Sequence, residues 1–389
     1  MNLITLLFAL VAAPAVLVTA FFAVELLAGL RPIALLGETS EGVGAMVVVP
    51  AHDEEKVIAR TVADLKREGG NLRVLVVADN CVDGTAAAAL SADAEVVIRN
   101  DPEHRGKGFA LAAAREHLHR DPPDVVIIVD ADCRINGRSL LALAHSAAAT
   151  GRPCQAINLL APDLSAPPMV QISTFAFLIK NLFRQRALQR LAGRAHLTGT
   201  GMALPWPIFA GADLGGSRIV EDLALGLELA DRAAPPLLVE AATVWSPPAS
   251  QSGTLVQRRR WEGGFLATAL KTAPRALGRS LGRGDIRGVF AALDLCIPPL
   301  ALLFTLNAVL FLAGVVAVAS GAAPWPIAVQ MAVGLIASAA LVLAWRREGR
   351  PFASGKTLLR LPLYVLWKLP MYVGLARRGA PTEWLRTGR

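Results

Sequence analysis

Long stretches of this sequence carry no charge. Asp, Glu, Lys and Arg are absent from Met1 to Val24 and again from Leu295 to Trp345. Charged residues make up only 18% of the chain, against about 25% in soluble domains. A wholly soluble protein is therefore not expected. Cysteine is scarce: Cys81, Cys133, Cys154 and Cys296 follow neither a disulfide framework nor a zinc-ligand spacing, which points to reduced thiols in a cytoplasmic domain. No Lys or Arg precedes Arg31, so the basic n-region of a signal peptide is missing. No long basic block occurs either. The net charge of +8 is spread near the apolar segments, which favours membrane-adjacent charge over a nucleic-acid stripe. A G-x-G-x-x-G fingerprint after the first strand and a P-loop are both missing, which disfavours a dinucleotide fold and an ATP-driven pump.

What is present begins with membrane-length runs. About 20 apolar residues cross a bilayer core. The N-terminal run supplies one span. The uncharged zone from Leu295 to Trp345 is long enough for two, with Gly321, Pro324 and Pro326 marking the turn between them. Arg31 follows the first span, and Arg346, Arg347 and Arg350 follow the last. The positive-inside rule then places the intervening domain and the C-terminus in the cytoplasm. The expected organisation is a transmembrane helix at 1–30, a cytoplasmic domain at 45–285, two transmembrane helices at 290–345 and a C-terminal segment at 346–389. Met169–Leu191 and Leu358–Leu375 are apolar but interrupted by basic residues. Both read as helices lying in the interface. For the first, a packed amphipathic helix fits the pattern equally; for the second, a fourth span with Lys368 snorkelling is the alternative. Asp294 reads as a boundary residue reaching the headgroups.

Between the spans, short β-rich runs alternate with helical ones. Met46–Pro50, Val74–Ala78, Ala94–Ile98 and Val125–Val129 read as strands, and Glu54–Lys66, Thr85–Leu90 and Gly108–His119 as helices. Continuous apolar strands alternating with helices imply an α/β domain with a parallel sheet covered on both faces. Ligands of such sheets bind beyond the carboxyl ends of the strands. The polar residues fall there: His52-Asp53-Glu54, Asp79-Asn80 and Asp130-Ala131-Asp132. In an extended chain residues i and i+2 point the same way, so Asp130 and Asp132 could aim two hard oxygens at one Mg²⁺ or Mn²⁺. A turn after the strand would also favour Asp.

Several segments occur in a fixed order: Pro50-Ala51-His52-Asp53-Glu54-Glu55, Asp79-Asn80-Cys81-Val82-Asp83-Gly84-Thr85, Arg105-Gly106-Lys107-Gly108, Asp130-Ala131-Asp132, Glu221-Asp222 and Gln257-Arg258-Arg259-Arg260-Trp261. The chain resembles glycosyltransferase family 2 with the Rossmann-like GT-A fold, in the membrane-bound branch that includes cellulose, chitin and hyaluronan synthases. Asp53 departs from the pattern, since many members carry Asn there. The resemblance implies that Glu54 and Asp79 contact the uracil or ribose of a UDP-sugar. It implies that Asp130 and Asp132 bind the metal-diphosphate and ribose side, and that Lys107 lies near the phosphates. Asp222 would be the general base and Glu221 its support, although an acidic pair also suits a helix N-terminus.

Gln257, Arg260 and Trp261 share one helical face. Arg260 suits a diphosphate because its guanidinium forks onto two oxygens, and Trp261 offers a face for a sugar ring. Arg258 and Arg259 read as juxtamembrane charge meeting headgroups. The Thr198-Gly199-Thr200-Gly201 loop would let backbone approach the acceptor. The expected enzyme is an inverting, metal-dependent hexosyltransferase of the bacterial inner membrane. It would move sugar from a UDP-sugar to a lipid-linked saccharide or glycolipid in exopolysaccharide or envelope assembly. A processive synthase acting as a homo-oligomer, or with a partner, is the alternative. Membrane lipids are expected partners and nucleic acid is not.

Overall fold

The computed structural model describes residues 2–37, 42–69, 72–215 and 221–379, without the side chains of Glu221 and Ser252. Its first half runs α1 (Leu3–Gly29), β1 (Ala45–Ala51), α2 (Glu55–Gly69), β2 (Arg73–Asp79), α3 (Thr85–Ser91), β3 (Glu95–Arg99), α4 (Lys107–Leu118) and β4 (Val125–Ile128). Then come β5 (Arg134–Ile135), α5 (Gly137–Thr150), β6 (Cys154–Leu160), α6 (Pro168–Leu178), a π-helical turn (Ile179–Arg184) and α7 (Gln185–Ala192). The second half comprises β7 (Met202–Pro205), α8 (Trp206–Ala210), α9 (Glu221–Asp231), β8 (Leu237–Ser246) and α10 (Gln251–Arg283). It closes with α11 (Ile286–Cys296), α12 (Leu300–Ala319), α13 (Trp325–Ala344), α14 (Gly355–Leu358) and α15 (Leu361–Arg378). The chain divides into two compact units: Pro32–Ala161 with Arg194–Pro247, and Met1–Arg31 with Pro162–Gly193 and Pro248–Arg389. The span 45–285 expected as one domain contributes to both.

The first unit is built on an eight-stranded mixed sheet of order β3-β2-β1-β4-β7-β6-β8-β5. β3, β2, β1 and β4 are parallel neighbours, and β7 runs antiparallel to β4. The central strands β1 and β4 are apolar along their whole length because both faces are covered. Val47, Val49, Val74 and Val76 pack with Ile58, Val62 and Leu65 of α2, whereas Met46, Val48, Leu75 and Val77 pack with Ala110, Leu111 and Leu118 of α4. Strand alternation sends successive side chains to opposite faces. The buried residues of α2 recur at helical spacing, and its charges complement the dipole, with Glu55 in the first turn and Lys66 and Arg67 in the last. The seven elements read from the sequence between residues 45 and 129 all form, with boundaries within three residues of those expected.

The second unit is helical. Among the described residues, three helices are long and apolar enough to cross a membrane: Leu3–Gly29, Leu300–Ala319 and Trp325–Gly349. Gly29 lets α1 approach the π-helical turn closely, for a Cβ there would overlap the backbone carbonyl of Phe183. Beside this contact lies a buried ion triad. Arg184 donates from Nε to Glu25 at 2.8 Å and from Nη2 to Asp294 at 2.8 Å. All three residues are buried. Asp294 therefore does not reach headgroups as expected; it is held inside by an arginine that the π-helical turn presents. Such turns re-aim side chains relative to a regular helix.

The segment Met169–Leu191 is helical and largely packed within this unit. Ile172, Phe175, Phe183 and Leu188 are buried on different sides of it. Leu358–Leu375 is packed on one side, while Leu359, Leu363, Leu366 and Val373 are exposed. Lys368, which a snorkelling reading would send to water, is buried on α15 and ion-paired with Glu262 of α10. Tyr372 donates from its hydroxyl to the other oxygen of Glu262 at 2.8 Å. A buried lysine is tolerated only with such a partner.

Candidate active site

Parallel pairing brings the carboxyl ends of β1, β2 and β4 to one edge, where the chain enters its acidic loops. The loops after β1 and β2 are stapled to each other. Val82 N–H donates to Asp53 Oδ1 at 2.8 Å, Glu54 N–H to Thr85 Oγ1 at 2.8 Å, and Gly84 N–H to Glu55 Oε2 at 3.1 Å. Asp53 and Asn80 both hold φ of 52°, a left-handed backbone uncommon outside glycine and stored at functional sites. Asp79 is buried. Its Oδ1 accepts from Arg99 Nη1 at 2.6 Å and from Asn80 Nδ2 at 3.0 Å. Sequence reasoning missed Arg99, whose only signal is its place at the end of β3, one strand from Asp79.

The acidic motif after β4 is not extended. β4 ends at Ile128, and Cys133 N–H donates to Asp130 C=O at 3.0 Å, closing a β-turn with Asp130 as its first residue. That position favours Asp. The strand-alternation argument for paired oxygens is thus replaced by turn geometry. Lys107, at the start of α4, bonds Asp130 through its ammonium and donates to the Gly199 carbonyl at 2.5 Å. Burial alone would lower the lysine's pKa. Asp130 and then Asp222 outweigh that and raise it, so the ammonium is firmly charged. Asp222 joins the same corner: a Cβ on Gly199 would stand 3.2 Å from Asp222 Oδ2 and 3.9 Å from Lys107 Nζ. Gly199 itself holds φ of 87°. The structure therefore brings together Asp130, Lys107, Gly199 and Asp222, which lie far apart in sequence. Burial pushes the Cys133 thiol up to about 12, with Asp130 adding to the shift.

The loop carrying Gly199 and Thr200 is fixed by two amides that the sequence reading passed over. Gln155 Oε1 accepts from Thr198 N–H at 2.9 Å, and its Nε2 donates to the carbonyls of Ala156 at 2.8 Å and Thr200 at 2.9 Å. Asn158 donates to Thr198 Oγ1 at 3.2 Å. Thr200 Oγ1 in turn accepts from Asp130 N–H at 3.1 Å. Amides inside the otherwise apolar strand Cys154–Leu160 were the available signal, since buried polar groups need partners.

Not every expected residue lies in the sheet unit. Gln257, Arg260 and Trp261 sit on α10 of the helical unit. Gln257 is buried, and Trp261 packs on Phe177 with ring centroids 5.4 Å apart. Arg258 does not meet headgroups. It is buried, donates to Ser173 Oγ at 2.8 Å, and lies over the rings of Phe177 and Trp261. Glu221 opens α9, and its side chain lies outside the described residues.

Comparison with known proteins agrees with this architecture. Residues 44–264 match the family described as Glycosyltransferase like family 2. A mannosyltransferase of Pyrobaculum calidifontis, solved in complex with GDP-Man and Mn²⁺, superposes with a TM-score of 0.56 at 17% identity. The alignment covers 94% of this chain and 99% of that one. A mannosyl-3-phosphoglycerate synthase of Rubrobacter xylanophilus overlaps less, with a TM-score of 0.37, 16% identity, and 63% and 76% of the two chains covered. An uncharacterized protein of Methanocaldococcus jannaschii is 36% identical over 86 residues, 22% of this chain and 34% of that protein, so the chain spans about a third of that relative. The sheet unit has the GT-A fold, and the chain belongs to the family 2-like glycosyltransferases.

Proposed function

We propose that this enzyme transfers a hexose from a UDP-sugar to a lipid-linked saccharide or glycolipid, with inversion at the anomeric carbon. The observation that carries the reading is the corner where Lys107 bonds Asp130 and Gly199 while Asp222 closes on Gly199. It sets an acidic turn, a fixed cation and a carboxylate of general-base type around one backbone loop. Glu54 and Asp79 stand on the stapled loops beside it and would hold the nucleoside. Asp222 would take the acceptor hydroxyl proton as the oxygen attacks the anomeric carbon, with Glu221 supporting it. A one-step displacement inverts that centre. Cys133, the thiol beside the acidic turn, stays protonated and is a poor nucleophile for a covalent intermediate.

The donor set fits a hard divalent cation, since Asp130 and Asp132 offer carboxylate oxygens from one turn. Lys107 already engages Asp130, so Asp132 would be the principal ligand. Bound Mg²⁺ or Mn²⁺ would offset the charge that develops on the leaving diphosphate. The Pyrobaculum mannosyltransferase holds Mn²⁺ and GDP-Man, which supports the cation and leaves GDP-sugars as the rival donor class. For Gln257, Arg260 and Trp261 on α10, the family resemblance supports roles toward the diphosphate and the acceptor.

Three spans are few for a polymer channel in one chain, which favours a membrane acceptor over processive export. Arg346 and Arg347 at the end of the last membrane-length helix support a cytoplasmic sheet unit on a protein of the bacterial inner membrane. The test is incubation of the purified enzyme with UDP- and GDP-sugars and a membrane lipid extract. A glycosylated lipid formed from a UDP-sugar supports the reading, whereas transfer only from GDP-sugars, or only long polymer, overturns the corresponding part.

A further inference from the structure

Beside the nucleotide end of the site, His52, Asp53 and Cys81 offer a nitrogen, an oxygen and a sulfur whose ligand atoms all lie within 4.8 Å of one another. None of the three is used by the chemistry proposed above. We propose that they form a second metal site, for a borderline-soft divalent ion such as Zn²⁺, separate from the oxygen-donor turn at Asp130 and Asp132.

The argument starts at the imidazole. His52 Nδ1 lies 2.7 Å from the Asp79 carbonyl oxygen. A carbonyl only accepts, so Nδ1 carries a proton, and in the neutral ring Nε2 then carries the lone pair. This is the arrangement by which metal-bound histidines are oriented: one ring N–H anchored on a carbonyl or carboxylate, the other nitrogen on the ion. Nε2 stands 3.7 Å from Asp53 Oδ2, a separation that one ion could bridge. The Asp53 carboxylate is turned to this place by its other oxygen, which accepts from Val82 N–H at 2.8 Å. Its backbone at φ 52° aims the side chain back across the loop. Cys81 Sγ accepts from Asp53 N–H at 3.4 Å, which brings the sulfur to the same loop corner; burial holds its thiol above the ordinary value, so an ion must displace a proton to bind there. All three residues are half-buried, which suits an ion entering from solvent.

The mixed donor set decides which ion. Mg²⁺ and Mn²⁺ prefer oxygen alone, whereas nitrogen and thiolate select Zn²⁺. Three protein ligands leave one position of a tetrahedron for water. Binding would release the Cys81 proton to solvent and leave a Zn–S bond, with no redox change. The ion would join the loop after β1 to the loop after β2, the two loops that flank Asp79.

The experiment uses the full chain purified in detergent, stripped with chelator and reloaded with Zn²⁺, with metal content measured after desalting. Co²⁺ loading provides a second readout through a thiolate-to-cobalt absorption band. The site predicts about one tightly held zinc per chain, lost together with the cobalt band in Cys81→Ser and in His52→Gln. Asp132→Ala should retain the zinc. Excess Mn²⁺ should leave the cobalt band in place, because its oxygen-donor site lies elsewhere. Zinc content below one tenth of the chain concentration in the wild type would overturn the proposal. So would undiminished zinc in Cys81→Ser, or a zinc lost only with Asp132. Circular dichroism of each variant separates ligand loss from misfolding, and Cys296→Ser controls for adventitious binding to the other half-buried thiol.

Discussion

At the residue scale, the acidic corner makes separable demands. Replacing Asp222 by Asn removes the proposed base with little change of shape. Transfer is expected to fall by at least about 100-fold, while nucleotide binding, followed by calorimetry, stays within a few-fold of wild type. Turnover near wild type would remove Asp222 from that role. Asp132→Ala should weaken Mn²⁺-dependent nucleotide binding, whereas a titration unchanged by the substitution would leave the turn without its metal. Gly199→Ala tests backbone rather than charge. The residue sits at φ 87°, and a Cβ would press on Asp222 at 3.2 Å. Left-handed backbone costs an L-residue roughly 1–2 kcal/mol, so kcat/KM is expected to drop with only a modest loss of stability. The pH response is set partly by Asp83. Burial pushes its carboxyl up, but hydrogen bonds from Thr85 and the Glu55 N–H outweigh that and hold it below the ordinary range. A depressed carboxyl stabilises above its unfolded value, near about 3.9, and loses that contribution as pH falls through the lower folded value.

Elements explain which of these residues were legible. The α/β alternation from Ala45 to Ile128 could be read because β1, β2 and β4 are mostly buried apolar runs and α2 buries one face. The carboxylates at strand ends were legible for the same reason: a parallel sheet gathers strand ends. The helices at Met169–Leu191 and Leu358–Leu375 show the limit of pattern alone, because an apolar segment interrupted by basic residues reads the same on a lipid surface and around a buried ion pair. Only packing reveals that Arg258 caps Ser173 and that Lys368 finds Glu262. Gln155 shows the cost of such buried contacts. Gln155→Leu leaves Thr198 N–H and the Thr200 carbonyl without this partner. A loss of about 1–3 kcal/mol is expected, read as a lower unfolding midpoint, together with a weaker acceptor-side loop.

On the scale of the whole molecule, the chain crosses four times between its two units, and each unit is assembled from segments distant in sequence. The helical unit relies on the Glu25–Arg184–Asp294 triad, which joins α1, the π-helical turn and α11. Removing the cation leaves two buried carboxylates uncompensated, so Arg184→Met should destabilise the detergent-solubilised protein by about 3–5 kcal/mol. A thermal unfolding midpoint equal to wild type would show that the triad contributes little.

By itself the sequence determined the number of membrane-length helices, the α/β character of the catalytic unit and the order of its acidic motifs. Those features follow from local apolar runs and from short spacings that no distant contact can change. Tertiary structure alone decided that the acidic motif sits in a turn, that Lys107 bridges it to the Gly199 loop and that Asp222 arrives at the same corner. It also decided where the buried charges pair. Such contacts join residues up to hundreds of positions apart, and a charge pattern cannot name its partner until the backbone has brought one within hydrogen-bonding reach.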